Sequence, residues 1–329
     1  MMKAVLMREF GESDVLYIGE TETPKVGENE LLVRVRATAL NRADLLQRRG
    51  FYPPPKGASE IIGLEMAGEI AEIGPGVAGY QVGDRVCALL PGGGYAEYVV
   101  IPADMAMPLP DNLTFEQGAA IPEVFLTAYL NLVQLGGFQK GMDVLIHAGA
   151  SGVGTAAIQL VRELEGRSLV TAGSAEKLAK CQELGASAGW NYKEGSFAPF
   201  VKEQTGDKGV SIILDFIGAP YFADNLKSLQ MDGRVVIIGT MGGSKVSEVD
   251  LGHLLARRLQ VIGTALRSRT PQQKVALARD FWDFAYHRFA DGRLVPVVDT
   301  VMDWNEVKAA HDRMESNQNA GKIVLQVTE

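Results

Sequence analysis

The chain has 329 residues, with 32 Lys and Arg against 40 Asp and Glu, a formal net charge of −8, 47% hydrophobic residues, 37 glycines and two cysteines. At roughly 100–200 residues per domain this length fits two domains, and the hydrophobic content excludes disorder over most of the chain. The acidic balance argues against a general affinity for nucleic acid or for an anionic membrane surface, because both need clustered Lys and Arg.

Cys87 and Cys181 match no disulfide framework and no C-x-x-C motif, so two free thiols in a reducing, cytoplasmic compartment are expected. The apolar run after Met1 is too short for a signal peptide. Val144–Val161 carries no Asp, Glu, Lys or Arg, but Gly149, Gly152 and Gly154 divide it into a strand and a helix, so no membrane span is expected.

The first part of the chain reads as β-rich. Leu32–Thr38 and Gly68–Gly74 alternate apolar and polar residues, the second ending in the turn Gly74-Pro75-Gly76. Arg85–Leu90 and Tyr95–Ile101 follow, separated by Pro91-Gly92-Gly93-Gly94, and the density of glycine from Gly63 to Gly94 suits a tightly turned barrel of short strands. After Pro122 the rhythm changes. Apolar runs at Val144–Ala148, Ser168–Thr171, Ala188–Tyr192, Val210–Asp215, Arg234–Gly239 and Leu259–Thr264 alternate with helical stretches such as Val153–Leu164, Ala175–Leu184 and Tyr221–Leu229. That alternation predicts βαβ units in a doubly wound parallel sheet. From Arg267 onward, Gln272–Phe289 places Val275, Ala278, Phe281, Trp282, Ala285 and Phe289 on one helical face, and Gly321–Val327 reads as a closing strand.

The strongest local signal is Val144–Ala157, a strand running into Gly149-Ala150-Ser151-Gly152-Val153-Gly154 and then a helix of small residues. Glycines let the backbone approach a pyrophosphate, and the helix N-terminus supplies free N–H donors. The spacing G-x-x-G-x-G differs from the common G-x-G-x-x-G, and a purely structural turn is the alternative. A hydrolase elbow around Ser151 fails, because G-x-S-x-G would need glycine where Val153 stands. After the second strand, Gly173-Ser174-Ala175-Glu176-Lys177 has no acid at 173 or 174, whereas Ser174 and Lys177 are spaced to meet a 2′-phosphate, which favours NADPH. The alternative makes Ser174 a helix cap and Lys177 a solvated charge. Tyr192 ends the third strand and is placed to flank the same phosphate.

Four histidines (His147, His253, His287, His311) and two cysteines show no ligand spacing, so no metal site is expected. In Ala39–Pro55, a strand ends at Asn41, Asp44 starts a helical turn, and three prolines stiffen the segment that presents Tyr52. Asp44 and Tyr52 read equally well as a helix-start acid and a surface aromatic.

The segments A-L-N-R-A-D-L from Ala39, Y-P-P-P from Tyr52, A-L-L-P-G-G-G from Ala88, H-A-G-A-S-G-V-G-T-A-A-I-Q-L from His147, V-T-A-G-S from Val170, G-T-M-G-G from Gly239 and L-R-S-R from Leu266 carry a resemblance over essentially the whole chain. It resembles the zinc-free medium-chain dehydrogenases/reductases of the NADPH:quinone oxidoreductase (zeta-crystallin-like) family, nearest the stress-inducible quinone oxidoreductase branch. The resemblance implies an α/β protein. A GroES-like β-barrel catalytic domain would span 1–124, a Rossmann NADPH-binding domain 125–265, and a segment returning to the catalytic domain 266–329. It also implies a homodimer. Zinc-dependent relatives carry G-H-E and a ligand Cys; here Gly63-Leu64-Glu65 and Asn41-Arg42-Ala43-Asp44 stand instead.

By the same resemblance, Ser151, Gly152, Val153 and Gly154 would hold the pyrophosphate, and Gly173, Ser174, Lys177 and Tyr192 would surround the 2′-phosphate. Phe216, Ile217, Gly239, Met241, Leu266 and Arg267 would line the path to the nicotinamide, with Asn41, Thr127 and Lys322 near its ends. Tyr52 and Asn41 would border the substrate and donate to a developing oxyanion. Glu165-Gly166-Arg167-Ser168 departs from the usual glycine-alanine turn. The expected reaction is transfer of reducing equivalents from NADPH to ortho- or para-quinones without metal, in a cleft between the domains. Reduction of an enal or enone C=C bond, and an NADPH-binding protein of mainly non-catalytic role, are the alternatives.

Overall fold

The computed structural model describes residues 1–328. They form two units: residues 1–126 with 267–328, and residues 127–266. In chain order the elements are β1 (Met2–Met7), β2 (Leu16–Thr21), β3 (Glu30–Ala39), α1 (Arg42–Arg48), β4 (Glu65–Ile73), β5 (Arg85–Leu89), β6 (Tyr98–Pro102), β7 (Met107–Pro108), α2 (Phe115–Ala119) and α3 (Pro122–Tyr129). They continue with β8 (Asp143–Ile146), α4 (Gly152–Glu163), β9 (Arg167–Ala172), α5 (Ala175–Glu183), β10 (Ala188–Asn191), α6 (Ala198–Gln204), β11 (Val210–Asp215), α7 (Phe222–Ser228), β12 (Leu229–Ile237), α8 (Leu251–Arg257) and β13 (Gln260–Gly263). Last come α9 (Pro271–Ala290), β14 (Val298–Asp303), α10 (Val307–Glu315) and β15 (Lys322–Gln326).

The first unit is built on a mainly antiparallel sheet in the order β14-β15-β3-β4-β5-β7, with β6 also pairing β3 and β1-β2 forming a separate pair. In strand β3, Leu31, Val33, Val35, Ala37 and Ala39 are buried and Arg34 and Arg36 only partly so, while Leu32 and Thr38 on the opposite face are covered as well. Leu31, Val33 and Val35 pack with Met66, Ile70, Val86 and Ile101 in one core cluster. The strand expected from Tyr95 begins instead at Tyr98. The intervening backbone is used elsewhere: Val5 N donates to Tyr95 O and Glu97 N to Lys3 O. Gly63 explains why glycine recurs here. It has φ +112°, and a Cβ would fall 2.6 Å from the Tyr95 backbone nitrogen. Helix α9 starts on a Thr270–Gln273 capping box with Pro271 in its first turn. It buries Leu277, Ala278, Phe281, Trp282, Ala285 and Phe289; Leu277 replaces the expected Val275, which is half-buried.

The second unit is a six-stranded sheet in the order β10-β9-β8-β11-β12-β13, every neighbouring pair parallel. This is the 3-2-1-4-5-6 order of the doubly wound fold, so the strand order reverses between β8 and β11. Val144, Leu145, Ile146 and all of Val210–Asp215 are buried, as covering both faces of a parallel sheet demands. The Glu165-Gly166-Arg167-Ser168 departure is absorbed at the helix end: Glu165 takes φ 60°, Gly166 N donates to Val161 O, and Arg167 opens β9 paired with Asp143. Among the described residues no helix is long and apolar enough to cross a membrane.

Candidate functional site

In the second unit the expected cofactor residues gather at the carboxyl ends of the parallel strands. Ser151–Gly154 follow β8, Gly173–Lys177 follow β9, Tyr192 follows β10, Phe216 and Ile217 follow β11, and Gly239 and Met241 follow β12. Ser151 caps the twelve-residue α4, its Oγ accepting from Gly154 N at 3.1 Å. The N–H groups of Gly152 and Val153 lie in the first turn, where a helix offers them no acceptor of its own. A Cβ on Gly154 would sit 2.4 Å from Ala148 O, and one on Gly149 2.8 Å from Val170 Cβ. Only glycine allows this turn to fold so tightly ahead of the helix. The cradle fits the phosphates of a dinucleotide.

Ser174 caps α5 in the same manner, accepting from Lys177 N at 3.3 Å. Tyr192 is 44% exposed, and its hydroxyl closes on Gly173, where a Cβ would lie 2.5 Å away. Asp215 Oδ1 accepts from Ile217 N and Gly218 N, while Met241 N donates to Phe216 O and Gly242 N to Ile217 O. The loops after β11 and β12 are therefore fixed to one another. Met241 is exposed, and Leu266 and Thr127 are buried.

A buried chain that sequence reasoning missed lies beneath these loops. Asp215 Oδ2 accepts from Asn225 Nδ2 at 3.0 Å, Asn225 Oδ1 lies 2.7 Å from His147 Nε2, and His147 Nδ1 lies 3.0 Å from Thr171 Oγ1. With Asn225 Oδ1 as acceptor, His147 Nε2 carries the proton and Nδ1 accepts from the threonine. Burial pushes His147 down to about 4, so the ring is neutral. The chain ties together the ends of β8, β9 and β11.

In the first unit, Asn41 caps α1 in a capping box with Asp44, whose Oδ2 accepts from Asn41 N at 2.7 Å. Asp44 is fully buried. Desolvation lifts its acid to about 7, against the hydrogen bond from Asn41 and the charge of Lys322. Tyr95 donates to Asp44 Oδ2 at 3.2 Å and lies 3.4 Å from His311 Nε2; Arg48 Nη1 lies 3.1 Å from His311 Nδ1 and Nη2 pairs with Glu315 at 2.5 Å.

Three expected contacts change place. Lys322 Nζ donates to Asn41 Oδ1 at 2.7 Å and Leu40 O at 2.5 Å and pairs with Glu65 Oε1 at 2.7 Å, so all three N–H bonds are occupied. Asn41 Nδ2 in turn donates to Glu65 Oε1 at 2.9 Å and Ala39 O at 3.3 Å. Both N–H donors of its carboxamide are thus engaged within the protein, as are those of Lys322. Arg267, expected along the cofactor path, is buried and clamps two loops: it donates to Pro91 O, Gln47 Oε1 and Tyr52 O at 2.7–3.2 Å. Its guanidinium also lies over the Tyr52 ring, 4.8 Å from the centroid.

Tyr52 is left half-buried, and among the described residues its hydroxyl has no hydrogen-bond partner. Desolvation and the nearby Glu123 charge raise it above the usual phenol range, against Arg267. Glu123 was not singled out in the sequence; Pro122-Glu123 at a helix start reads as an ordinary first-turn acid. The Leu64 side chain is buried. Among the described residues no group of three or more His, Cys, Asp or Glu could hold a metal ion.

Two family models match: the alcohol dehydrogenase GroES-like domain over residues 27–111 and the zinc-binding dehydrogenase domain over 152–281. Rat quinone oxidoreductase is 30% identical over 99% of this chain and 98% of its own length. The chain belongs to the quinone oxidoreductase family of medium-chain dehydrogenases/reductases. Among solved structures, an NAD-dependent alcohol dehydrogenase is 32% identical with a TM-score of 0.88, covering all of both chains. A mycobacterial protein complexed with NADPH is 30% identical, TM-score 0.86, over 99% of this chain and 100% of the other. The CurK enoyl reductase is 27% identical, TM-score 0.88, over 99% of each. The GroES-like and Rossmann-type architecture is thus that of the family, and the chain is an oxidoreductase.

Proposed function

We propose that this oxidoreductase takes NADPH and reduces small quinones without a metal. The observation that carries the reading is the pairing of the Ser151–Gly154 cradle with a second strand that ends in Gly173-Ser174 rather than in an acid. An acid there would bind the ribose hydroxyls and repel a 2′-phosphate. Here the α5 N-terminus, Ser174 and Lys177 present N–H, hydroxyl and ammonium groups suited to one.

When bound, the nicotinamide supplies hydride. Gly152 and Val153 N–H would hold its pyrophosphate, and Tyr192 would flank the ribose phosphate. Tyr52, its ring fixed by Arg267 and its hydroxyl free, donates to the acceptor oxygen as charge builds there. A quinone is electrophilic enough to need no Lewis acid, so the protein's contribution is orientation and a stabilised oxyanion. A homodimer belongs to the same reading. Strand β13 is an edge of the parallel sheet with Val261 42% exposed, and α8 leaves Leu251 and Leu255 71% and 80% exposed.

The test is NADPH oxidation against ortho- and para-quinones, enones and NADH in one assay. Turnover of quinones with marked preference for NADPH is expected. Comparable rates with NADH overturn the Ser174–Lys177 assignment, and turnover confined to enones moves the substrate to the C=C class. Tight NADPH binding with no turnover makes the protein a binder.

A further inference from the structure

Resting on the dinucleotide-binding reading of the parallel-sheet unit, we infer that Asn225 is a positioning residue for the cofactor loops. Through one buried chain from Thr171 to Asp215 it sets the three strand ends from which those loops spring.

The chain has a single donor direction. Thr171 Oγ1 donates to His147 Nδ1 at 3.0 Å, His147 Nε2 to Asn225 Oδ1 at 2.7 Å, and Asn225 Nδ2 to Asp215 Oδ2 at 3.0 Å. All four residues are fully withdrawn from water. In such a place a satisfied hydrogen bond is strong, and a broken one leaves a costly orphan. Asn225, on α7, joins the two halves: removing its amide strands His147 Nε2 and Asp215 Oδ2 at once.

Each end of the chain abuts a cofactor loop. Thr171 stands two residues before Gly173-Ser174, and its carbonyl oxygen accepts from Gly149 N at 2.9 Å, where the glycine turn begins. His147 immediately precedes Ala148, held at φ 49°, a left-handed conformation that a residue with a β-carbon adopts only at a cost. At the far end, Asp215 Oδ1 accepts from Ile217 N at 2.7 Å and Gly218 N at 3.0 Å. The next residue, Ala219, donates its N–H to Gly243 O at 2.9 Å, which carries the constraint into the loop after β12. The chain thus spans the ends of β8, β9 and β11, across the point where the strand order reverses and a doubly wound sheet takes its ligand.

Packing alone would not need this chain. The His147 ring already meets Phe197 and Tyr221 at centroid distances of 4.6 and 4.7 Å, and an apolar filling of the same shape can hold a core as firmly. What the polar chain adds is direction. Asn225 Nδ2 fixes Asp215 Oδ2, so that Oδ1 faces the Ile217 and Gly218 N–H groups. A loop set in advance spares the ligand the ordering cost that a loose one imposes on binding.

The test uses the full chain, with NADPH affinity from fluorescence titration and amide hydrogen exchange followed by NMR without ligand. Asn225→Leu should weaken NADPH binding about 10-fold and speed exchange at Ile217 and Gly218 by a similar factor. Leu145 and Ile213, in the middle of β8 and β11, should keep their protection. Thr171→Val should weaken binding about threefold, and Thr171→Ser, which keeps the hydroxyl, should stay within about twofold of wild type. Because the residues act as one chain, adding Thr171→Val to Asn225→Leu should bring no further loss. Wild-type affinity with protected Ile217 and Gly218 in Asn225→Leu overturns the inference and leaves the cofactor reading standing. So does exchange that rises equally at Leu145 and Ile213, a fully additive double variant, or Thr171→Ser as weak as Thr171→Val. A wild type that binds neither NADPH nor NADH overturns both. Should Asn225→Leu fail to fold, the Thr171 pair decides by the same measurements.

Discussion

Lys322 Nζ lies 2.7 Å from Glu65 Oε1, and both side chains are withdrawn from water. Replacing Lys322 by Met strands a buried carboxylate, and breaking such a pair costs about 3–5 kcal/mol. Urea unfolding of Lys322→Met should show a loss of that size, and adding Glu65→Gln should return part of it. A double variant no more stable than the single one rules out the pair as the cause.

Cofactor preference tests the end of β9. Lys177→Ala removes a charge-assisted contact worth about 1.5–3 kcal/mol, so kcat/KM for NADPH should drop roughly 10- to 100-fold. The value with NADH should stay within about threefold. Equal losses with both cofactors would place Lys177 outside 2′-phosphate recognition.

The cradle tolerates no side chain at Gly154, whose Cβ would meet the Ala148 carbonyl oxygen at 2.4 Å. Gly154→Ala should lower stability by about 1–3 kcal/mol and weaken NADPH binding more than it lowers the melting temperature. Calorimetric titration beside thermal unfolding separates the two. Unchanged affinity would show that the pyrophosphate lies elsewhere.

Stability should depend on pH from both sides. Asp44 and Glu123, lifted to about 7 and about 8, hold protons that the unfolded chain releases near their ordinary values of 3.8 and 4.5. Their contribution is full below those values and lost as pH rises through 7 to 8. His147 and His311, pushed down to about 4 and about 3, act oppositely: their contribution is full above 6.5 and lost as pH falls through 4 to 3. The melting temperature should therefore decline from pH 6.5 to 8.5, and Asp44→Asn should flatten that decline. An unchanged slope in the variant would assign the decline to other groups.

Edge pairing at β13 predicts the assembly. Val261→Lys should convert a dimer to a monomer by light scattering, with the melting temperature falling and becoming concentration-independent. A wild-type monomer at micromolar concentration would contradict the proposed dimer.

Periodicity and turn chemistry made much of the architecture legible. The run Val210–Asp215 is apolar because both sheet faces are covered, and its bounds in the structure are those of the run. Leu229–Ile237 was harder, because Asp232 at φ 62° and a register shift against β11 break the pattern before Arg234. The tight glycine turn and the Ser151 cap were readable because glycine, serine and a helix start act locally. The hydrogen bonds of Asn41, Lys322 and Arg267 were not, because partners such as Glu65, Leu40 and Pro91 are brought near only by the tertiary fold.

Strand β15 lies between β14 and β3, so the sheet that carries Glu65 is completed by residues near the end of the described chain. During synthesis the parallel-sheet unit emerges whole, while the first unit must wait with its inner seam open. Until residue 322 has left the ribosome, Glu65 has no cation, and the edge of β3 that β15 will cover stays exposed. Closure of the first unit thus waits on β15, and removing residues 322–326 would open the β3 edge and leave Glu65 without Lys322.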